Sequence, residues 1–438
     1  MRISIFGLGY VGAVSLACLA RDGHQVVGVD VDPHKLDLIR SGRSPIVEEG
    51  IQELMEKVVD SGQVRVTDSA QDAVRDTELS FVCVGTPSNP NGSQDMAALR
   101  RVMTEIGRAL AGKRERHTVV LRSTAQPGTL EEVVRPLLEE HSGRQSDRDF
   151  ALCFQPEFLR EGTSIKDYDN PPLTIVGARD AEAVEPVRRI FGHLPCEFVV
   201  TSVGVAELMK YACNAFHALK ITFANEMGRV SRSVGVDARQ VMDLVCRDTR
   251  LNISPAYMKP GFAFGGSCLP KDLRALNYLG KVRDLTLPMM GSLLGSNRAH
   301  IDHALEMVMV PGVRRVGLVG LSFKAGTDDL RESPLVAVAE RLIGKGYQLR
   351  IYDPEVNVSR LLGANKRFIQ ETIPHFETLM VTDIRQALAD AQVALVSVGG
   401  PNVIAALAEH TNEELAVVDL VGLPREKIKC ARYSGVCW

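Results

Sequence analysis

Short apolar runs that end in turn residues alternate along the chain with stretches of helical spacing, the pattern of β/α units that build a parallel sheet. Ile3-Ser4-Ile5-Phe6 predicts a first strand, followed by Gly7-Leu8-Gly9-Tyr10-Val11-Gly12 and a helical run to Leu19. A second strand, Gln25 to Val29, ends in Asp30. Further strands are predicted over Leu79–Val84, Thr118–Arg122 and Phe150–Phe154, running into Thr86, into Ser123-Thr124, and into Gln155-Pro156-Glu157. From Val203 to about Val234 the spacing changes to one long helix. At about 100° per residue, Lys210, Asn214, His217, Ile221 and Asn225 share one stripe. Leu208, Ala212, Ala215, Leu219 and Phe223 fall opposite. Such a helix exceeds the usual single-domain length and reads as a spine between two domains. Its polar stripe is expected to face a cleft, and its apolar stripe a partner chain.

Helices to about Met309 and a break at Pro311-Gly312 lead into a second α/β unit. It opens with Arg314 to Lys324 and continues with a helix, Leu335–Ile343, and a strand, Gln348–Tyr352, ending in Asp353-Pro354. The halves echo each other: Phe81-Val82-Cys83-Val84-Gly85-Thr86-Pro87 parallels Leu395-Val396-Ser397-Val398-Gly399-Gly400-Pro401. The expected fold is α/β, with two Rossmann-like doubly wound sheets joined by a long central helix and a helical middle domain. The expected domains are 1–202, 203–310 and 311–438.

Strand, Gly-x-Gly-x-x-Gly, helix, strand and acid in this order form the dinucleotide-binding fingerprint. Gly7 makes the turn, Gly9 admits the pyrophosphate, and Gly12 lets helix and strand pack closely. Asp30 would accept hydrogen bonds from ribose hydroxyls and repel a 2′-phosphate, which favours NAD over NADP. In the second unit the closing glycine is absent and Phe323-Lys324 intrudes. A different phosphate-bearing ligand is expected there, with Lys324 and Arg331 as counter-charges.

Composition narrows the field. A net charge of -3 gives no basic footprint for nucleic acid or anionic membrane. Cysteines number nine, without a Cys-x-x-Cys pair, which argues for a reducing compartment and against a disulfide framework or zinc site. His300 and His303 lack a nearby ligand pattern and read as surface residues. No apolar run reaches membrane-spanning length, and a soluble, cytoplasmic protein is expected.

The most distinctive stretch is Gly261-Phe262-Ala263-Phe264-Gly265-Gly266-Ser267-Cys268-Leu269-Pro270-Lys271-Asp272. Glycines bring backbone close to a ligand, and Pro270 suits the first turn of a helix. A thiol just before that turn feels the positive end of the helix, and Lys271 adds charge; both favour the thiolate. A thiol inside an NAD enzyme implies oxidation beyond an aldehyde. Its addition to the carbonyl makes a thiohemiacetal, whose oxidation gives a thioester that water cleaves. Cys268 is then the nucleophile. Lys210 and Asn214 would hold negative charge on the reacting oxygen. Asp272 would position water or take a proton beside Thr124, and Glu157 would be the base for hydrolysis.

With these residues in place, the chain resembles the UDP-glucose/GDP-mannose dehydrogenase family over nearly its whole length. The matching motifs are the glycine fingerprint, Pro156 to Gly162, Lys210-Tyr211-Ala212-Cys213-Asn214-Ala215, Gly265 to Asp272, and Gly320 to Lys324 followed by Asp329 to Pro334. The resemblance implies a dehydrogenase that oxidises a sugar primary alcohol twice, using two NAD, and a homodimer formed through the long helix. It implies that Tyr10, Val11, Asp30, Lys35, Thr86, Thr124, Lys271 and Arg331 contact NAD. By the same resemblance, Glu161, Lys210, Asn214, His217, Asn225, Tyr257, Lys259, Phe262, Gly265 and Lys324 contact the nucleotide sugar. One departure stands out: Pro255-Ala256 occupies the place of an expected second tyrosine, and Lys259 that of an arginine. A single-step β-hydroxyacid dehydrogenase also pairs an NAD sheet with Lys-x-x-x-Asn on a long helix, but needs no thiol. A non-catalytic NAD-binding protein would not need Cys268, Lys210 and Asp272. A cysteine hydrolase using Cys268 and His217 leaves the fingerprint unexplained.

Overall fold

The computed structural model describes the whole chain except residues 88, 92, 161, 255, 259, 267, 325, 326, 357–360, 362, 411 and 412. Glu161 and Lys259, both expected to contact substrate, lie outside the described residues. The chain divides into two compact units, Met1–Ala218 and Leu219–Trp438.

The first unit is built on eight strands: β1 (Arg2–Phe6), β2 (Gln25–Val29), β3 (Val64–Thr67), β4 (Leu79–Val82), β5 (Thr118–Leu121), β6 (Ala151–Phe154), β7 (Leu173–Ala178) and β8 (Glu197–Thr201). They lie in the order β3-β2-β1-β4-β5-β6-β7-β8. The central strands β4, β5 and β6 are buried along their whole length, as strands covered by helices on both faces must be. Pairing is parallel except between β6 and β7, where Cys153 faces Ala178 in an antiparallel register. The sequence reading singled out none of β3, β7 and β8; β7 is buried from Thr174 to Gly177, and only the other two are at the edges. The edge strands β3 and β8 are of mixed polarity and partial exposure, so neither carries a buried apolar run. The strand order reverses beside β1, which pairs with β2 on one side and β4 on the other. Ligands of such sheets bind beyond the carboxyl ends at this point.

The first helix, α1 (Tyr10–Arg21), follows β1 with nine of its residues buried. The long helix is α2 (Val203–Ser233), as the spacing predicts. A buried glutamate on it anchors each unit. In the first, Glu207 accepts from the amides of Gly128 at 2.7 Å and Leu130 at 2.8 Å, at the start of the helical segment after β5. In the second, Glu226 accepts from Met289 and Met290, each at 2.9 Å. These two amides open the helix Pro288–Val308. Both carboxylates satisfy otherwise orphaned N–H groups at a positive helix end.

The second unit contains α3 (Leu269–Val282), α4 (Pro288–Val308) and a five-stranded parallel sheet. Its strands are β9 (Arg315–Val319), β10 (Gln348–Tyr352), β11 (Val393–Val396), β12 (Ala416–Asp419) and β13 (Arg432–Gly435), in the order β10-β9-β11-β12-β13. The helix α5 (Pro334–Gly344) packs its apolar face, with Leu335, Val338 and Leu342, into the core formed by Leu318, Ile351 and Leu395. Among the described residues, no helix is long and apolar enough to cross a membrane.

Candidate active site

The cofactor turn fits a dinucleotide. Gly7 has φ +91, a left-handed conformation that favours glycine. A Cβ on Gly12 would collide with the Gly7 carbonyl, whereas one on Gly9 would meet nothing within 4 Å. Gly9 therefore faces open space at the first turn of α1, where unpaired N–H groups point toward an anion. At the end of β2, Asp30 accepts from the amides of Leu8 at 2.7 Å and Asp32 at 3.0 Å, and pairs with Lys35 at 3.1 Å. Burial opposes its ionisation, but these amides and Lys35 outweigh it and hold the carboxyl below the usual range. Thr86 and Thr124, predicted from separate strand ends, are brought together: the Thr86 hydroxyl donates to the Thr124 carbonyl at 2.7 Å.

At the end of β6, Glu157 meets Lys210 of α2. The ammonium lies 2.8 Å from Oε1 and donates to the Glu157 carbonyl at 2.6 Å, while Oε2 accepts from the Leu159 amide at 2.7 Å. Each residue is only 9% exposed. Both carboxylate oxygens are thus engaged, Oε1 by the lysine and Oε2 by the Leu159 amide. Removing either partner would strand a buried charge, at a cost of about 3–5 kcal/mol. Asn214, His217 and Asn225 are exposed on α2, unlike Lys210. The opposite stripe is exposed too, at Leu208 and Leu219, until Phe223 turns into a small core with Met227, Val230 and Leu287.

In the second unit, Cys268 is the N-cap residue of α3 and is exposed, with Pro270 in the first turn. Burial pushes the thiols of Cys18, Cys83 and Cys153 up to about 12, which marks those as inert core cysteines. Cys246 is exposed, but it lies in the last turn of the helix Ala238–Arg247, where the dipole opposes a thiolate. The cysteine loop is seated by several contacts. The amide and carbonyl of Phe264 exchange hydrogen bonds with the Asn297 side chain of α4, at 2.9 and 2.8 Å. Gly266 has φ +84 and lies against the Phe323 ring. A Cβ on Gly265 would approach the Glu332 carbonyl and Pro334 Cδ to 2.5 Å. Glu332 in turn pairs with Arg274 of α3.

Arg331 is chelated by Asp329 through Nη2 at 2.7 Å and Nε at 2.9 Å. Those bonds hold its guanidinium above the usual range, with a smaller contribution from the Cys268 sulfur. Lys271 and Asp272 are exposed and pair with each other at 3.4 Å. Tyr257 is 88% exposed with φ +62, Phe262 is half-buried beside His300, and Lys324 is exposed. His300 donates through Nε2 to the Gly261 carbonyl at 2.8 Å, so it serves the loop as a structural residue. Among the described residues, no cluster of His, Cys, Asp and Glu could hold a metal ion.

Sequence reasoning missed Glu48, Glu207 and Glu226. Each binds backbone amides from a distant segment, and nothing in local spacing signals such a partner.

Three family models describe consecutive parts of the chain. They are the NAD binding domain of the UDP-glucose/GDP-mannose dehydrogenase family over residues 1–195, its central domain over 204–299, and its UDP binding domain over 317–422. The chain is 50% identical over 438 residues to GDP-mannose 6-dehydrogenase of Pseudomonas aeruginosa, covering 100% of both. It is 33% identical to the UDP-glucose 6-dehydrogenase of Haloferax volcanii over 91% of both. The crystal structure of a ternary complex of GDP-mannose dehydrogenase from Pseudomonas aeruginosa matches with a TM-score of 0.95 at 49% identity, over 100% of both chains. With the dinucleotide turn intact and the thiol exposed at its helix end, the chain belongs to the UDP-glucose/GDP-mannose dehydrogenase family of NAD-dependent enzymes.

Proposed function

We propose that the enzyme oxidises the sugar primary alcohol of GDP-mannose to the carboxylate, giving GDP-mannuronate. Each turnover consumes two NAD and one water and releases two NADH. The observation that carries this reading is the 50% identity over the full length to a GDP-mannose 6-dehydrogenase, against 33% to a UDP-glucose 6-dehydrogenase.

When bound at the first unit, NAD takes up one hydride in each oxidation. Tyr10, Val11, Asp30, Lys35, Thr86 and Thr124 hold it there, with Lys271 and Arg331. Loss of the hydroxyl proton and the first hydride leaves an aldehyde. The Cys268 sulfur then adds to the carbonyl carbon, forming a C–S bond, and Lys210 and Asn214 stabilise the oxyanion. Loss of the second hydride converts the thiohemiacetal to a thioester. Water adds, the C–S bond breaks, and the thiolate returns. Asp272 positions that water, and Thr124 lies near it. Glu157 orients Lys210 through Oε1, and as base for hydrolysis it takes a proton from the attacking water. Glu161, His217, Asn225, Tyr257, Lys259, Phe262, Gly265 and Lys324 bind the nucleotide sugar.

The same reading includes three domains, at 1–202, 203–310 and 311–438, a homodimer through α2, and a cytoplasmic place of work. Spectrophotometric counting of NADH tests the chemistry. GDP-mannose is expected to yield two NADH per molecule and UDP-glucose to turn over far more slowly. One NADH per molecule, or full activity in Cys268→Ala, would refute the thioester route.

A further inference from the structure

The chain after β6 is held at two places, Glu157 and Gly162–Ser164. At the first, Glu157 grips Lys210. At the second, the amides of Gly162 and Ser164 donate to the Glu48 carboxylate, at 2.7 and 3.0 Å. The same carboxylate accepts the Tyr10 hydroxyl, and Gly162 also donates to that hydroxyl at 3.3 Å. Tyr10 is the first residue of α1, directly after Gly9 in the cofactor turn. Glu48 itself belongs to neither segment; it precedes the helix Ile51–Asp60. One carboxylate therefore joins the turn that faces the dinucleotide phosphates to the loop that begins at the Lys210 ion pair.

We propose that Glu48 is a positioning residue that couples cofactor binding at the Tyr10 turn to ordering of the segment Gly162–Ser164. The physical route is short. A bound dinucleotide restrains the first turn of α1, because its pyrophosphate takes up the amides there. That fixes the Tyr10 ring, whose hydroxyl holds Glu48. Three bonds to one ionised carboxylate are individually strong, and they reinforce one another only while all donors are in place. The Tyr10 hydroxyl and the Gly162 and Ser164 amides also hold the Glu48 carboxyl below its usual range despite the cost of partial burial, so it stays charged near neutrality. By reciprocity, a ligand that orders the loop tightens cofactor binding by the same factor. This second consequence rests on the proposal above that the loop belongs to the nucleotide-sugar site.

Amide hydrogen exchange on the full-length enzyme tests the coupling without any sugar. Saturating NADH is expected to slow exchange across Gly162–Ser164 about fivefold in the wild type. In Glu48→Gln and in Tyr10→Phe, at NADH concentrations that saturate each variant, the slowing should fall below about twofold. Unchanged slowing in both variants, or none in the wild type, overturns the proposal. A second arm measures NADH affinity by fluorescence with and without GDP-mannose, a pair that cannot react because both are the reduced partners. The wild type is expected to bind NADH about fivefold tighter with GDP-mannose present, and Glu48→Gln to show a ratio near one. A merely structural glutamate would change both affinities and the unfolding temperature but leave that ratio intact. If exchange behaves as expected while GDP-mannose leaves wild-type NADH affinity untouched, the coupling stands and the substrate reading fails.

Discussion

Gly265→Ala is the sharpest test of how the cysteine loop is held. Gly265 is absent from the residues with positive φ, so alanine suits its backbone and the only penalty is space. The added Cβ would lie 2.5 Å from both the Glu332 carbonyl oxygen and Pro334 Cδ. Ordinary contact begins near 3.4 Å, so something must move by about 0.9 Å. Neither obstacle yields easily: one is backbone, and the other is the ring that opens α5. The mobile side is the loop itself, three residues before Cys268. Displacing a reacting atom by about 1 Å costs roughly 10²-fold in rate, or about 2.7 kcal/mol of barrier. Overpacking should take about 1–3 kcal/mol from stability, a fall of a few degrees in Tm. The assay is steady-state NADH production with GDP-mannose, together with NAD affinity. Cofactor affinity should hold, because the fingerprint residues belong to the first unit. Gly261→Ala is the control, since its Cβ would meet nothing nearer than 3.9 Å. If Gly265→Ala kept kcat within about threefold of wild type, the claim that this packing positions the sulfur would be wrong.

Gly9→Ala should fold with an unchanged Tm yet weaken NAD at least tenfold by calorimetry, because its Cβ enters open space that a phosphate needs. Gly12→Ala, which collides with the Gly7 carbonyl, should instead lower soluble yield and Tm together. Burial raises the carboxyl of Glu207, outweighing its two amide bonds, with Glu131 and Glu132 adding to the rise. A raised folded-state value favours the protonated form, so this group's stabilisation is full below the unfolded value of about 4.3 and is lost as pH climbs through the folded one. The Tm of wild type minus that of Glu207→Gln should therefore shrink from pH 4 to pH 8, and a widening gap would refute the sign. The exposed leucines at 208 and 219 predict that Leu208→Glu with Leu219→Glu gives monomers in analytical ultracentrifugation where the wild type gives dimers.

Much of this was legible before any coordinates. The strands β1, β2, β4, β5 and β6 carry apolar runs because both sheet faces are buried, and burial of that kind leaves a local signature. The long helix was legible for the same reason, through its length and stripe. The edge strands β3 and β8 were not, since half-exposed strands spell nothing distinctive. At the site, residue types announced the cofactor turn and the thiol because glycine, proline and cysteine have narrow uses. Lys210 was found by its place on a polar stripe, but its immersion beside Glu157 was not, and that burial makes the candidate base an anchor for the lysine as well. Glu48, Glu207 and Glu226 escaped notice because a carboxylate that caps someone else's amides looks, in sequence, like any surface acid.

The two sheets echo each other in sequence, yet a single carboxylate separates what each can hold. Asp30 gives two of its acceptor positions to backbone amides and one to Lys35, a flexible side chain that a ribose hydroxyl can displace. Asp353, at the matching end of β10, accepts from four amides: Leu321 and Ser322 on one oxygen, Glu355 and Val356 on the other. A carboxylate offers about four such positions, so none remains for a ligand. The acid proposed to read a ribose in the first sheet is matched by an internal brace in the second. A nucleotide there must be gripped by other groups, and the exposed ammonium of Lys324, carried on the turn that Asp353 braces, is in position to supply charge. One acid with a displaceable partner and the other saturated by amides thus fits a ribose at the carboxyl end of β2 and not at that of β10.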